Sequence, residues 1–250
     1  MSDIIQKEFV LPVEVTTFDV GADDRLRLSA VLQYQQEAAE RQLAPDGLGW
    51  QALAEQGLAF VASRWHATIQ RMPVMGERVT LTTWHRERRG PRFFRCYEWR
   101  DEQGELLLQG VMLFALVSVQ EHRLLRGEEF DRFGLPSQPE RDVACEDPGK
   151  LVVPTCSPVD TAVVRWSDTD RNGHMNNTRY ADLLCDCLPP QAQGQPLHDI
   201  QLCFSRESLQ GDRLVLSGGT DESGVFYVQG EHDRGIAFQA RVTMGDAHGL

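Results

Sequence analysis

Apolar and polar positions follow the same order of elements twice along the chain. In the first half, residues 9–18 predict a strand, residues 29–43 show helical spacing, and four alternating stretches predict further strands at residues 59–71, 77–87, 93–101 and 106–119. In the second half, the corresponding predictions are a strand at residues 161–166, a helix at 177–188, and strands at 199–207, 213–220, 224–232 and 236–244. Strands linked by short turns, with one helix in each half, predict an α+β fold with antiparallel sheets.

The residues themselves also repeat. The stretch VMGERVTLTTW at residues 74–84 is similar to LQGDRLVLSGG at 209–219, with Gly76 matching Gly211. Two related halves in one chain predict a fused pseudo-dimer. We expect a first subdomain at residues 1–135, a proline-rich crossing linker at 136–160, and a second subdomain at 161–250.

Composition narrows the classes of protein and partner. The formal net charge of −12 argues against nucleic-acid binding, and the 41% of hydrophobic residues can build a large core. No apolar run is long enough for a membrane span. The first residues look like a strand and have no basic segment followed by an apolar one, which argues against a signal or transit peptide. We therefore expect a cytoplasmic protein with no nucleic-acid or membrane partner.

Neither the cysteines nor the aspartates predict a metal site. The six cysteines show no paired C-x-x-C spacing, so we expect free and mostly buried thiols in a reducing compartment. The stretch DTDRNGH resembles the start of a calcium-binding EF-hand loop. Position 12 of such a loop, counted from Asp168, is Arg179 in place of the usual glutamate, which argues strongly against calcium. We expect no metal and no cofactor.

The stretch WSDTDRNGHMNN at residues 166–177 leads into the second predicted helix. Asp, Asn and Gly are common turn residues, so a plain loop is the first interpretation. A gap-free alignment of the two halves puts other residues at these positions of the first half: Ala22, Asp24 and Leu26 opposite Asp170, Asn172 and His174, and Met72 opposite Glu207. The first half therefore makes the turn without this set, which favours a site in the second half only.

These residues carry a resemblance to a known family. The pattern D-x-N-x-H-x-N-N-x-x-Y is present as Asp170, Asn172, His174, Asn176, Asn177 and Tyr180. With FSRES at residues 204–208, and LQYQQEAAERQLAPDG and GERVTLTTWHRERRGPRFFR in the first half, the chain resembles the acyl-ACP thioesterases over nearly its full length. The resemblance implies a double hotdog fold, in which two antiparallel sheets each wrap a long helix.

The resemblance also implies a reaction, the hydrolysis of fatty acyl-acyl carrier protein to free fatty acid and carrier protein. Asp170 would be the attacking carboxylate or base, Glu207 would activate water, and Asn172 and His174 would orient and stabilise. Two carboxylates in one site would raise the pKa of one of them. The helix N-terminus, capped by Asn176 or Asn177, would lie near the substrate carbonyl. Nucleophilic and general-base routes both stay open.

One residue departs from the plant members of the family, and two alternatives share the implied scaffold. Ser208 stands where plant members have a cysteine, which excludes a cysteine nucleophile at that position. An acyl-CoA thioesterase would use the same residues with another carrier. A non-catalytic acyl-binding protein would keep the pocket without turnover, but the intact set of polar residues argues against it. A hotdog hydratase fits the set less well.

An acidic carrier protein needs a basic surface on a chain of net charge −12. Five arginines cluster around one predicted hairpin: Arg86, Arg88, Arg89, Arg92 and Arg95. They predict a carrier-docking surface, and a solvated basic turn is the alternative. A homodimer of the whole chain is compatible with these expectations. The preference for a particular acyl chain length depends on the depth of the substrate pocket, which the sequence does not reveal.

Overall fold

The computed structural model describes residues 6–245 except 122, 127, 132 and 142. Its elements are β1 (Glu8–Glu14), α1 (Leu28–Leu43), α2 (Trp50–Glu55), β2 (Leu58–Ile69), β3 (Arg78–Arg89), β4 (Arg92–Asp101), β5 (Leu106–Ser118), β6 (Arg123–Leu124), α3 (Glu128–Asp131), β7 (Ser157–Val163), α4 (Arg179–Asp186), β8 (Leu197–Phe204), β9 (Arg213–Thr220), β10 (Phe226–His232) and β11 (Gly235–Met244). Every predicted strand and helix is present, whereas α2, β6 and α3 were not predicted. The outer ends of the two predicted subdomains lie outside the described residues.

The strands of both halves form one antiparallel sheet. Its order is β1-β3-β4-β5-β2-β8-β11-β10-β9-β7, with β6 paired to β5. The halves join where β2 pairs with β8, and Trp65 lies opposite Leu202 in this pairing. The two predicted sheets are therefore continuous, because β2 and β8, each at the edge of its own half, pair with each other.

The two main helices differ in length. α1 has sixteen residues and buries Val31, Gln35 and Ala38 at helical spacing against the core. α4 has only eight residues. The predicted helix of the second half is therefore present but shorter than residues 177–188. α4 is short because Pro189 and Pro190 follow its end and cannot continue a helix.

The proline-rich linker packs across the outer face of the sheet. Trp84 donates its indole N–H to the carbonyl of Arg141 at 3.2 Å, and Gln201 donates its amide to the carbonyl of Gly149 at 2.6 Å. Cys145 joins an apolar cluster on the same face. The linker thus contacts both halves before β7 begins at Ser157, four residues before the predicted subdomain boundary. The division into subdomains stays a prediction.

Candidate active site

The turn at residues 168–176 is closed by backbone hydrogen bonds. Asp170 N donates to the carbonyl of His174 at 2.8 Å, and Gly173 N donates to the carbonyl of Asp170 at 3.0 Å. Gly173 has a φ of 77°, a left-handed conformation that glycine adopts without strain. Met175 N donates to the carbonyl of Ser208 at 2.7 Å, which fixes the turn against the segment that follows β8.

Asp170 and Asn172 form the first polar pair of the turn. Asn172 N donates to Asp170 Oδ1 at 2.8 Å, and Asn172 Nδ2 lies 3.4 Å from Asp170 Oδ2. Both carboxylate oxygens therefore face donors from the same neighbour. A carboxylate held in this way has a defined direction, which a nucleophile or a base requires.

His174 and Glu207 form the second pair. His174 Nε2 lies 3.1 Å from Glu207 Oε2, with the two side chains 39% and 60% exposed. A polar contact this exposed contributes little to stability, but a substrate can reach it. The carbonyl of Glu207 faces His232 Nε2 at 3.1 Å, which holds the backbone behind the carboxylate.

The structure places the four predicted residues on adjoining segments, but not as a buried pair of carboxylates. Asp170 contacts Asn172, whereas Glu207 contacts His174 and projects into solvent. No contact between the two carboxylates is described among these residues. The helix N-terminus also differs from the expectation, because the N-cap is Thr178, whose N–H donates to Asn176 Oδ1 at 3.0 Å.

Trp50 is a residue of the site that the sequence did not reveal. Its indole Nε1 donates to Asn172 Oδ1 at 3.0 Å, and the guanidinium of Arg171 lies over its ring at 4.8 Å. Trp50 begins α2 in the first half, so the site contains residues from both halves. The six-residue α2 is too short to give a clear periodic signal, and its contact spans 122 positions of the chain.

Matching hydrogen bonds show which residues of the two halves correspond. Leu26 N donates to the carbonyl of Pro73 at 2.8 Å, as Met175 N does to Ser208 at 2.7 Å. Asp24 N donates to the carbonyl of Gly21, as Gly173 N does to Asp170. The gap-free alignment of the two turns is therefore wrong by one residue. The counterparts of Asp170, Asn172 and His174 are Gly21, Asp23 and Arg25.

The first-half turn lacks the chemistry of the second. The correspondence of Pro73 with Ser208 confirms Met72 as the counterpart of Glu207. Arg25 donates to the carbonyl of Gly194 at 2.7 Å, so each turn contacts the segment that follows the helix of the other half. With Gly21 and Met72 in place of the two carboxylates, this turn offers no candidate base or nucleophile at those positions.

The five-arginine docking surface is not formed as predicted. Arg86 and Arg95 are each only 5% exposed. Arg95 donates to Gln42 Oε1 at 2.6 Å, and Arg86 pairs with Asp147 of the linker. Both arginines are buried and pair with residues distant in sequence, so they cannot form an exposed surface.

The other three arginines of the cluster lie at the hairpin end. Arg88 pairs with Asp131 at 2.9 Å, Arg89 pairs with Asp147 at 2.8 Å, and Arg92 is exposed.

Among the described residues, no group of three or more His, Cys, Asp or Glu is arranged to hold a metal ion. None of the helices in the described part of the chain is long and apolar enough to cross a membrane.

Comparison with known proteins gives the family of this chain. Residues 6–129 match the acyl-ACP thioesterase N-terminal domain, and residues 156–244 match the acyl-ACP thioesterase C-terminal domain. The chain belongs to the acyl-ACP thioesterase family. The acyl-ACP thioesterase from Bacteroides thetaiotaomicron superposes with a TM-score of 0.84 at 22% identity, over 96% of this chain and 98% of that one. The 12:0-ACP thioesterase from Umbellularia californica gives a TM-score of 0.82 at 20% identity, over 96% and 98%. These likenesses confirm the predicted double hotdog fold.

Curated relatives of this thioesterase-family chain come from plants. A chloroplastic dodecanoyl-[acyl-carrier-protein] hydrolase from Cinnamomum camphora is 25% identical over 230 residues, which cover 84% of this chain and 60% of that protein. A chloroplastic palmitoyl-acyl carrier protein thioesterase from Gossypium hirsutum is 27% identical over 213 residues, covering 77% and 50%. The chain thus spans about half to three-fifths of the length of these two relatives.

Proposed function

We propose that this chain hydrolyses the thioester bond of medium- or long-chain fatty acyl-acyl carrier protein in fatty acid biosynthesis. The observation that carries the proposal is the Asp170–Asn172 pair beside the His174–Glu207 pair, in a chain of the acyl-ACP thioesterase family. The relatives named as acyl-ACP hydrolases support the same reaction. A cytoplasmic location and a homodimer stay predictions, as does the absence of nucleic-acid and membrane partners.

In the general-base route, one carboxylate removes a proton from water while the water oxygen attacks the thioester carbonyl carbon. Asp170 suits this role because Asn172 holds both of its oxygens. The resulting oxyanion collapses, the carbon–sulfur bond breaks, and the pantetheine thiolate leaves. His174 supplies the proton that the thiolate takes, with Glu207 stabilising the charged imidazole at 3.1 Å.

In the nucleophilic route, a carboxylate oxygen of Asp170 attacks the carbonyl and forms a mixed anhydride as the thiolate leaves. Water then attacks the anhydride and releases the fatty acid, and Glu207 accepts a proton from that water. Glu207 suits this second step because its side chain is 60% exposed and reaches solvent. Both routes use Asp170 as the reacting group and His174 as the proton donor, so the same variants test them.

The proposed partner is an acyl carrier protein whose acidic surface meets the basic end of the β3–β4 hairpin. Arg88, Arg89 and Arg92 are the arginines of the cluster that remain there for docking. Arg89 is 55% exposed although it is paired. A carboxylate of the carrier protein can replace Asp147 as the partner of Arg89 at small energetic cost, because exposed ion pairs are weak.

A substrate panel tests the proposed function. Steady-state hydrolysis is measured on matched medium- and long-chain acyl-ACP and acyl-CoA thioesters. We expect turnover of acyl-ACP with the higher kcat/KM. Preference for acyl-CoA would replace the carrier protein with coenzyme A as the partner. Absence of turnover on every thioester, with bound acyl chain recovered, would make the chain an acyl-binding protein.

A further inference from the structure

We infer that Trp50 is a positioning residue, whose indole N–H sets the orientation of the Asn172 amide and, through it, of the Asp170 carboxylate. This inference rests on the proposed function, and it adds a contribution from the first half to a reaction carried by second-half residues. The indole Nε1 lies 3.0 Å from Asn172 Oδ1, across the interface between the halves.

The hydrogen-bonding capacity of each group decides the orientation. An indole N–H can only donate, so the atom of Asn172 that faces it must be the amide oxygen. The amide nitrogen then faces Asp170 Oδ2 at 3.4 Å. A flipped amide would place its NH₂ against the indole N–H and its oxygen against the carboxylate, both unfavourable. Trp50 therefore selects the orientation in which Asn172 donates to Asp170.

Trp50 is itself held in place by the central helix. Its backbone N–H donates to both carboxylate oxygens of Glu40 in α1, each at 3.0 Å. A Cβ on the preceding residue, Gly49, would lie 2.8 Å from Glu40 Oε1 and 2.9 Å from Ala44 Cα. Glycine at this position thus allows the start of α2 to approach α1 closely. The path from Glu40 to Trp50 to Asn172 connects the long helix to the candidate site.

The ring of Trp50 has a second contact with the same turn. The guanidinium of Arg171 lies over the indole at 4.8 Å, a distance at which cation and ring attract each other. Arg171 and Asn172 are consecutive, so the face of the ring and its N–H edge each contact one of two neighbouring residues. Two contacts of different kind leave the indole little freedom to rotate away from the amide.

The equivalent turn of the first half makes a contact of a different kind with the other half. Asp23 occupies the position of Asn172, and the approaching segment of the second half accepts a hydrogen bond at Gly194 from Arg25. Within the described part of the chain, the contact between the halves at this pseudo-symmetric position is thus made by an arginine and a backbone carbonyl. This contrast favours a role for Trp50 in the candidate site over a role in holding the halves together.

The first test replaces Trp50 with phenylalanine, which keeps a ring under Arg171 and removes the N–H. We expect kcat on acyl-ACP to fall about five- to tenfold, the effect of one neutral hydrogen bond, with KM changed less than about twofold. Trp166→Phe is the matched control, because its side chain is 77% exposed, and it should keep the wild-type kcat. The double variant Trp50→Phe/Asn172→Ala should be no slower than Asn172→Ala alone, because both changes remove the same contact.

The second test needs no activity. The five tryptophans give five indole N–H signals in a ¹H–¹⁵N spectrum, and the signal lost in Trp50→Phe is that of Trp50. Asn172→Ala, which leaves α2 unchanged, should shift this signal and speed its exchange with solvent. An unchanged Trp50 signal in Asn172→Ala would overturn the inference, as would a folded Trp50→Phe with wild-type kcat. If the signal shifts while the wild type hydrolyses no thioester, the proposed function fails and the contact stands.

Discussion

Replacing His66 with glutamine removes a charged side chain from the junction of the two halves. His66 lies in β2 and is 3% exposed. Its Nε2 is 2.8 Å from Asp199 Oδ2 in β8, and its Nδ1 is 2.8 Å from the carbonyl of Glu146 in the linker. Arg241 of β11 pairs with the other oxygen of Asp199 at 2.7 Å. Because both ring nitrogens face acceptors, the ring donates twice and carries a positive charge.

Burial alone would lower the pKa of His66, but the hydrogen bond to Asp199 and smaller contributions raise it from 6.5 to about 10. Because the pKa of His66 is higher in the folded state, protonated His66 stabilises the fold. This contribution is fully present below the unfolded pKa of about 6.5, and it is lost as the pH rises through about 10. His66→Gln should therefore cost about 3 to 5 kcal/mol near pH 6, the usual cost of breaking a buried pair. That cost should shrink by about 1.4 kcal/mol per pH unit above pH 6.5.

Urea unfolding of the wild type and His66→Gln between about pH 6 and about pH 9 measures this difference directly. The control is His85→Gln, because His85 is also buried but has a pKa lowered to about 3 by burial and by positive Arg95. Buried neutral His85 lowers the free energy of unfolding only as the pH falls below about 6.5, where the unfolded chain gains a proton. The difference in this free energy between His85→Gln and the wild type should therefore stay constant at alkaline pH. A constant gap between the wild type and His66→Gln across this range would refute the reasoning.

Two further changes test the interior and the docking surface. Gln35 is fully buried, and neither of its amide atoms has a hydrogen-bond partner among the described residues. Gln35→Leu should therefore raise the free energy of unfolding by about 1 to 3 kcal/mol, and a lower value from urea denaturation would contradict this. Reversing charge at Arg89 and Arg92 should raise KM for acyl-ACP several-fold and reduce its salt dependence, without changing KM for acyl-CoA. Arg78→Glu, on an exposed residue at the start of β3, is the control and should leave the KM for acyl-ACP unchanged. An unchanged KM in the Arg89 and Arg92 double variant would show that the hairpin is only a solvated turn.

Local patterns predicted most of the fold because each strand has one buried face. β9 and β11 lie where alternation placed them, within a residue at each end. Helix ends were less well predicted, since the second helix begins at Arg179 and was expected at residue 177. The observed helix starts at Leu28 and Arg179 do not give the register of the turns either, which only the matching backbone hydrogen bonds reveal.

The rest of the candidate site depends on contacts between distant segments. The turn with Asp170 could be identified because its residue types are unusual beside the first-half copy. Trp50 could not, because its partner lies 122 positions away in the other half. The burial of Arg86 was equally hidden, since its acidic partner Asp147 comes from the linker, which folds back over the sheet. Charge alone therefore overestimated the docking surface.

The most direct measurement of the central claim is kcat on acyl-ACP for Asp170→Asn and Glu207→Gln, each with a melting curve. Both variants should remain folded and lose a factor of about 10² to 10⁴ in kcat, because each removes a carboxylate that the reaction uses. Asp23→Asn makes the same chemical change in the equivalent turn of the first half and should keep the wild-type kcat. If both second-half variants are folded and turn over acyl-ACP at near-normal rates, residues 168–176 are only a loop and the proposed active site is wrong.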